Sequence, residues 1–266
     1  MRSNHEIDYR IFGEEMQCVE IELDPQETVV AEAGAFMYKD SPVQMQTIFG
    51  DGSNSGGGLM GKLLSAGKRV LTGESLFMTA FTHMGSGKAR VAFASPYPGK
   101  IIPLDLQQMG GKVVAQKDAF LCAAKGVSVG INFQRRLGTG LFGGEGFIMQ
   151  KLEGDGMAFV HAGGHIVERE LQAGEVLHID TGCVVAYTKE VDFDVQMVGG
   201  IRNTLFGGEG FFFAVLKGPG KVWLQTLPIS RLASRIIQYA PQTGTRKEEG
   251  SVLGGLGNLL DGDGYK

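Results

Sequence analysis

Apolar residues recur at every second position in short runs along most of this chain. VQMQTI from Val43, VSVGI from Val127 and VDFDVQM from Val191 are such runs. A period of two places one set of side chains on each face of an extended strand, so these runs predict short half-buried strands. Longer stretches combine a turn and a strand in a common order. ELDPQETVVAEAGAFMY from Glu22, LQQMGGKVVAQKDAFLCA from Leu106 and ELQAGEVLHIDTGCVVAY from Glu170 resemble one another. In each, a Leu precedes a turn with Gly or Pro, then a polar residue, then an alternating strand.

A second pattern is stronger. LFGGEGF occurs at Leu141–Phe147 and again at Leu205–Phe211, 64 residues later. Each copy runs into an apolar stretch, a Gly-x-Gly (Gly154 to Gly156, Gly218 to Gly220) and a second apolar stretch. Two apolar runs about a glycine turn predict a β-hairpin whose turn needs positive φ. TGESLFMTAFTHMGSGKARVAFA, from Thr72, is a weaker third copy with Gly-Ser-Gly at Gly85 to Gly87. The repeats predict an all-β chain of three tandem units: residues 1–96, 97–162 and 163–228. The first carries an insert at 49–71.

Two segments depart from period two. In FGDGSNSGGGLMGKLLSAGKRVL, Leu59, Met60, Leu63, Leu64, Val70 and Leu71 fall on one helical face, with Lys62, Lys68 and Arg69 elsewhere. This short helix is a candidate contact for a membrane surface or a protein partner, or a cap on its own assembly. ISRLASRIIQY from Ile229 predicts an amphipathic helix over 229–240, with Ile229, Leu232, Ile236 and Tyr239 spaced to dock and Pro241 ending it. The glycine-rich remainder, 241–266, reads as a tail.

Composition narrows the class. Of 266 residues 43% are hydrophobic, enough for a packed core, and the 42 glycines suit many tight turns. The net charge of −4 argues against a nucleic-acid binder, which needs concentrated Lys and Arg. Cys18, Cys122 and Cys183 are scattered without metal-type spacing and read as reduced core residues. No apolar run reaches the roughly 18 residues of a spanning helix, and MRSNHEIDYRIFGEE has no apolar signal segment. A cytoplasmic protein is the expectation.

The three-unit plan, TGES with the glycine-rich insert before it, and the two LFGGEGF copies resemble a family of uncharacterised bacterial proteins. That family is related to the altered-inheritance-of-mitochondria protein 24 of fungi. The resemblance implies three small double-stranded β-helix units similar to the subunit of the trp RNA-binding attenuation protein. It also implies a homotrimer whose nine units close a ring.

Candidate chemistry is sparse. Gly73–Glu74, Gly144–Glu145 and Gly208–Glu209 recur once per unit, as acidic sites or, on the reading preferred here, as carboxylates that accept from their own glycine turns. Gly56–Leu63, GGGLMGKL, has Leu63 where a phosphate loop needs Ser or Thr. His161 and His165 in HAGGH, with Glu168 beyond, predict a turn flanked by partly exposed histidines. The expectation is a ring-forming scaffold without catalysis, metal or cofactor, with membrane adjacency as part of that role. A ring binding RNA or a small ligand is the alternative, and a metal-dependent enzyme the third reading.

Overall fold

In CVEIEL, Val19, Ile21 and Leu23 are buried while Glu20 and Glu22 face outward, the alternation that the pattern demands of a sheet with one wet face. The computed structural model describes residues 4–32, 34–49, 77–135, 147–198 and 211–239. Over these it is predominantly strand. In chain order the strands are β1 (Asp8–Phe12), β2 (Cys18–Leu23), β3 (Thr28–Glu32), β4 (Phe36–Lys39), β5 (Val43–Phe49), β6 (Phe77–His83) and β7 (Ala89–Ala94). They continue as β8 (Gly99–Asp105), β9 (Lys112–Gln116), β10 (Phe120–Ala124), β11 (Ser128–Arg135), β12 (Phe147–Glu153) and β13 (Met157–Gly163). Last come β14 (Ile166–Leu171), β15 (Val176–Asp180), β16 (Val184–Thr188), β17 (Asp192–Val198), β18 (Phe211–Lys217) and β19 (Gly220–Gln225). One α-helix, α1 (Ile229–Tyr239), follows.

The strands form four sheets, ordered β1-β2-β7-β4, β5-β6-β3-β10-β13-β8, β11-β12-β9-β16-β19-β14 and β15-β18-β17. Every ladder between these strands is antiparallel. A hydrophobic core lies between each successive pair of sheets. Val19, Val91, Phe81 and Phe159 meet between the first and second. Leu104, Val113, Leu152 and Trp223 meet between the second and third. Val114, Phe147, Ile179 and Leu216 meet between the third and fourth.

One pairing scheme occurs three times. In β2–β7 the first and third strands pair with the sixth, and the second and fourth with the fifth. The same scheme holds in β8–β13 and in β14–β19. Two further ladders, β3 with β10 and β9 with β16, carry one set of six into the next. These four strands are therefore paired on both edges, and each contributes side chains to two cores. In β9, Val113 and Ala115 enter one core and Val114 the next, so the sequence reads as an unbroken apolar run where a one-faced strand would alternate.

The hairpin expectation fails in an instructive way. The Gly-x-Gly turns do join consecutive strands, and Gly154, Gly220 and Gly87 have positive φ. Yet β12 and β13 lie in different sheets, as do β18 and β19, and β6 and β7. Each turn carries the chain across a core rather than back along one sheet. Both strands bury an apolar face in either arrangement, so periodicity alone does not separate them.

The chain's contacts divide it into Met1–Leu232, which holds every described strand, and Ala233–Lys266, described as helix up to Tyr239. α1 forms where 3.6-residue periodicity predicts it, but none of its residues is buried, and Ile236 and Tyr239, expected to dock, are exposed. The Arg231 guanidinium lies 2.9 Å from the Asp180 carboxylate.

Phe159 has no solvent exposure and takes the Tyr9 ring edge-on at 4.9 Å. Phe159→Ala is expected to destabilise the fold by about 3–5 kcal/mol. Urea unfolding followed through Trp223, the chain's one tryptophan, measures it.

Candidate functional site

The feature that sets one region apart is a pair of unfinished edges. β10 and β16, the third strands of their sets, are buried almost throughout. The matching strand of the first set, β4, is exposed along its length apart from Lys39. All three share one irregularity: the register shifts between Phe36 and Tyr38, between Phe120 and Cys122, and between Val184 and Ala186. The same local structure is thus covered twice and bare once. A second-strand comparison gives the same result. β3 and β9 are buried, whereas in β15 only Ile179 is.

Sequence explains why this matters. Phe36, Met37 and Tyr38 on β4 and Val176 on β15 are large apolar residues left in water, Met37 at 55% and Val176 at 47% exposure. Soluble proteins blunt such edges with charge or proline, because open backbone groups beside apolar side chains template pairing. Neither strand contains Pro, and the only charge within β4 is Lys39.

Charge sits instead on the outer face of the first sheet. Lys88 contacts Glu22 at 2.5 Å and Asp8 at 3.7 Å, and Arg90 reaches Glu20 at 3.6 Å and Glu22 at 3.5 Å. The Tyr38 hydroxyl donates to the Glu20 carboxylate, which pushes the phenol pKa up to about 12. This ladder fixes the Tyr38 side chain on the outward face of β4.

A cleft of about 220 Å³ lies over the β9–β16 ladder. Its apolar wall is Val114, Phe133, Tyr187 and Phe193, with Tyr187 stacked on Phe193 at 5.3 Å and Phe133 edge-on to Phe193 at 5.3 Å. Lys112, Lys189, Asn132 and Asp192 ring it. Both lysines already have partners: Lys189 donates to the Gly110 carbonyl at 2.7 Å and Lys112 lies 3.6 Å from Glu153.

His161 corrects the expectation of a partly exposed histidine. It lies within β13 at 2% exposure, edge-on to Tyr97 at 4.4 Å, and neither ring nitrogen has a hydrogen-bond partner. Burial lowers its pKa from 6.5 to about 4. At the matching place in β19 stands Gln225, which accepts from Gly163 N–H and donates to the Gly182 carbonyl, both at 2.8 Å. His165 is exposed, its backbone N–H donating to Thr226, and Glu168 pairs with Lys221 at 2.6 Å. The structure does not bring the three together. Burial raises the Cys122 and Cys183 thiols, and Cys18 is half-buried.

The recurring glycine–glutamate pairs at Gly73–Glu74, Gly144–Glu145 and Gly208–Glu209 lie outside the described residues. So do Leu59, Met60, Lys62, Leu63, Leu64, Lys68 and Arg69 of the insert. The free edges β4 and β15 were missed as sites. Their signal was present in the likeness of the three turn-and-strand stretches, which contain these strands and their covered counterparts.

Serially joined antiparallel sheets, with β4 an edge strand of the first and β15 an edge strand of the last, define the class as an all-β protein. The chain belongs to the mitochondrial biogenesis AIM24 family, whose model matches residues 9–227. A protein of Streptococcus pyogenes serotype M6 is 31% identical over 226 residues, covering 84% of this chain and 86% of that protein. A crystal structure of a Streptococcus pyogenes protein is similar with a TM-score of 0.69 at 25% identity, over 88% of this chain and all of that one. No described helix is long and apolar enough to cross a membrane.

The His161 environment gives a signed pH effect. Unfolded, the imidazole takes its ordinary value near 6.5, so between there and about 4 the unfolded chain binds a proton that the folded chain refuses. This contribution to stability is whole above that window and falls as pH drops through it, by on the order of 3 kcal/mol. The urea midpoint is expected to fall between pH 7 and pH 4.5, and to fall less in His161→Gln, which carries the residue type found at position 225.

Proposed function

We propose that this chain is a non-catalytic, ring-forming assembly protein. In this reading β2–β7, β8–β13 and β14–β19 are three small double-stranded β-helix units, similar to the subunit of the trp RNA-binding attenuation protein. The observation that carries it is the pair of complementary bare edges. Within the chain, the second strand of each set is covered by the third strand of the next. β15 of the last set lacks that cover, and β4 of the first lacks what it would cover.

A contact between unlike ends is heterologous, so copies joined this way close into a ring or grow as a filament. Closure leaves neither edge bare. Three chains bring nine units into one ring, and the work of such a ring is to present one surface many times over. α1, with Ile236 and Ile237 exposed and no acidic residue along its length, supports a role beside a membrane surface. The cleft over the β9–β16 ladder favours a second reading, a ring that takes a small ligand at unit boundaries.

Light scattering of the purified chain at micromolar concentration is expected to give three times the 28.5 kDa chain mass. A stable monomer would remove the basis for the ring and for the scaffold reading with it.

A further inference from the structure

We infer that β15 of one chain and β4 of a second copy pair antiparallel in a single register, with Ile179 opposite the partner's Tyr38, His178 opposite the partner's Lys39 and Leu177 opposite the partner's Asp40. The inference rests on the assembly reading above and adds to it which atoms meet.

Two ladders inside the chain supply the template. In one, Ala31, Val30 and Val29 oppose Cys122, Ala123 and Ala124. In the other, Ala115, Val114 and Val113 oppose Ala186, Tyr187 and Thr188. The shared register shift fixes the matching positions on the third strands. Tyr38 stands where Cys122 and Ala186 stand, so Lys39 matches Ala123 and Tyr187. On the second strands the fifth strand is the ruler. Lys112 opposes Glu153 and Val176 opposes Lys217, each the last residue before a Gly-x-Gly turn. Ile179 therefore matches Ala115, and His178 matches Val114.

Backbone hydrogen bonding excludes a slip of one residue. Thr28 accepts from Lys125 N–H at 3.0 Å, so Thr28 and Val30 are the residues of β3 that turn their polar groups toward β10. Their counterparts in β15 are Val176 and His178. Shifted by one, Leu177 and Ile179 would face the new strand, although their polar groups serve β18.

Side chains agree with this register. Leu121 and Cys122 belong to the core of the preceding set, as do Val185 and Ala186. The matching residues of a second copy, the partner's Met37 and the partner's Tyr38, would extend the core that holds Ile179 and Leu216. Both are exposed apolar side chains in the single chain, and Val176 is a third at the same junction.

The test is a register-specific disulfide in the full chain, with Cys18 and Cys183 replaced by Ser. Directly opposite residues of the Ile179–Tyr38 type have Cα atoms about 4.5 Å apart, within reach of a disulfide. Ile179→Cys with Tyr38→Cys is expected to give covalent dimer and trimer on a non-reducing gel, and neither single variant is. An oligomer of the expected mass that fails to cross-link, or that cross-links instead through Ile179→Cys and Asp40→Cys, overturns the register and leaves the assembly reading standing. A monomer overturns both. A second variant guards against misfolding of the first. His178→Pro removes the N–H aimed at the partner while sparing the ladder to β18. It is expected to shift the chain to monomer at micromolar concentration with its strand circular dichroism unchanged, and a retained trimer counts against the pairing.

Discussion

A strand with apolar residues on both faces needs a neighbour on both edges. That requirement organises this protein. Each buried backbone group left without a partner costs as much as a lost hydrogen bond, and each bare apolar face adds its own cost in water. β3, β9, β10 and β16 satisfy it by pairing across successive six-strand sets, which is why the second and third sheets each have six strands. The three cores follow, because every shared sheet lends one face to the core before it and the other to the core after.

Much of this plan was legible in the letters. Glycine turns and the period-two runs located strands, among them β5, β11 and β17. The three resembling stretches from Glu22, Leu106 and Glu170 turn out to hold the second and third strand of each set. What the letters hid was partnership. GDG between two apolar runs suits a turn that folds back along a sheet equally well as one that crosses a core. The choice is made by β9 and β8, distant strands that claim β12 and β13 separately.

The bare edges were hidden for a related reason. AFMY is as apolar as FLCAA, and VLHID holds three apolar residues as KVVAQ does; exposure is a property of neighbours, not of composition. His161 gave the opposite error. In HAGGH it looks like a polar turn residue, yet it occupies a strand position whose counterpart is Gln225, a side chain that bridges two backbone groups. The imidazole fits the space and leaves both nitrogens idle.

Sharing sheets between cores also sets how the protein comes apart. In an array of separate beads, each bead melts at its own temperature. Here the loss of the third sheet would strip a wall from two cores together, so coupling between neighbours is built into the covalent order of the strands. The middle set, β8–β13, has no outer face of its own to fall back on: one of its halves belongs to each shared sheet. Evolution can lengthen or trim the loops of such a chain, but a change that loosens the middle set takes strands from both shared sheets at once.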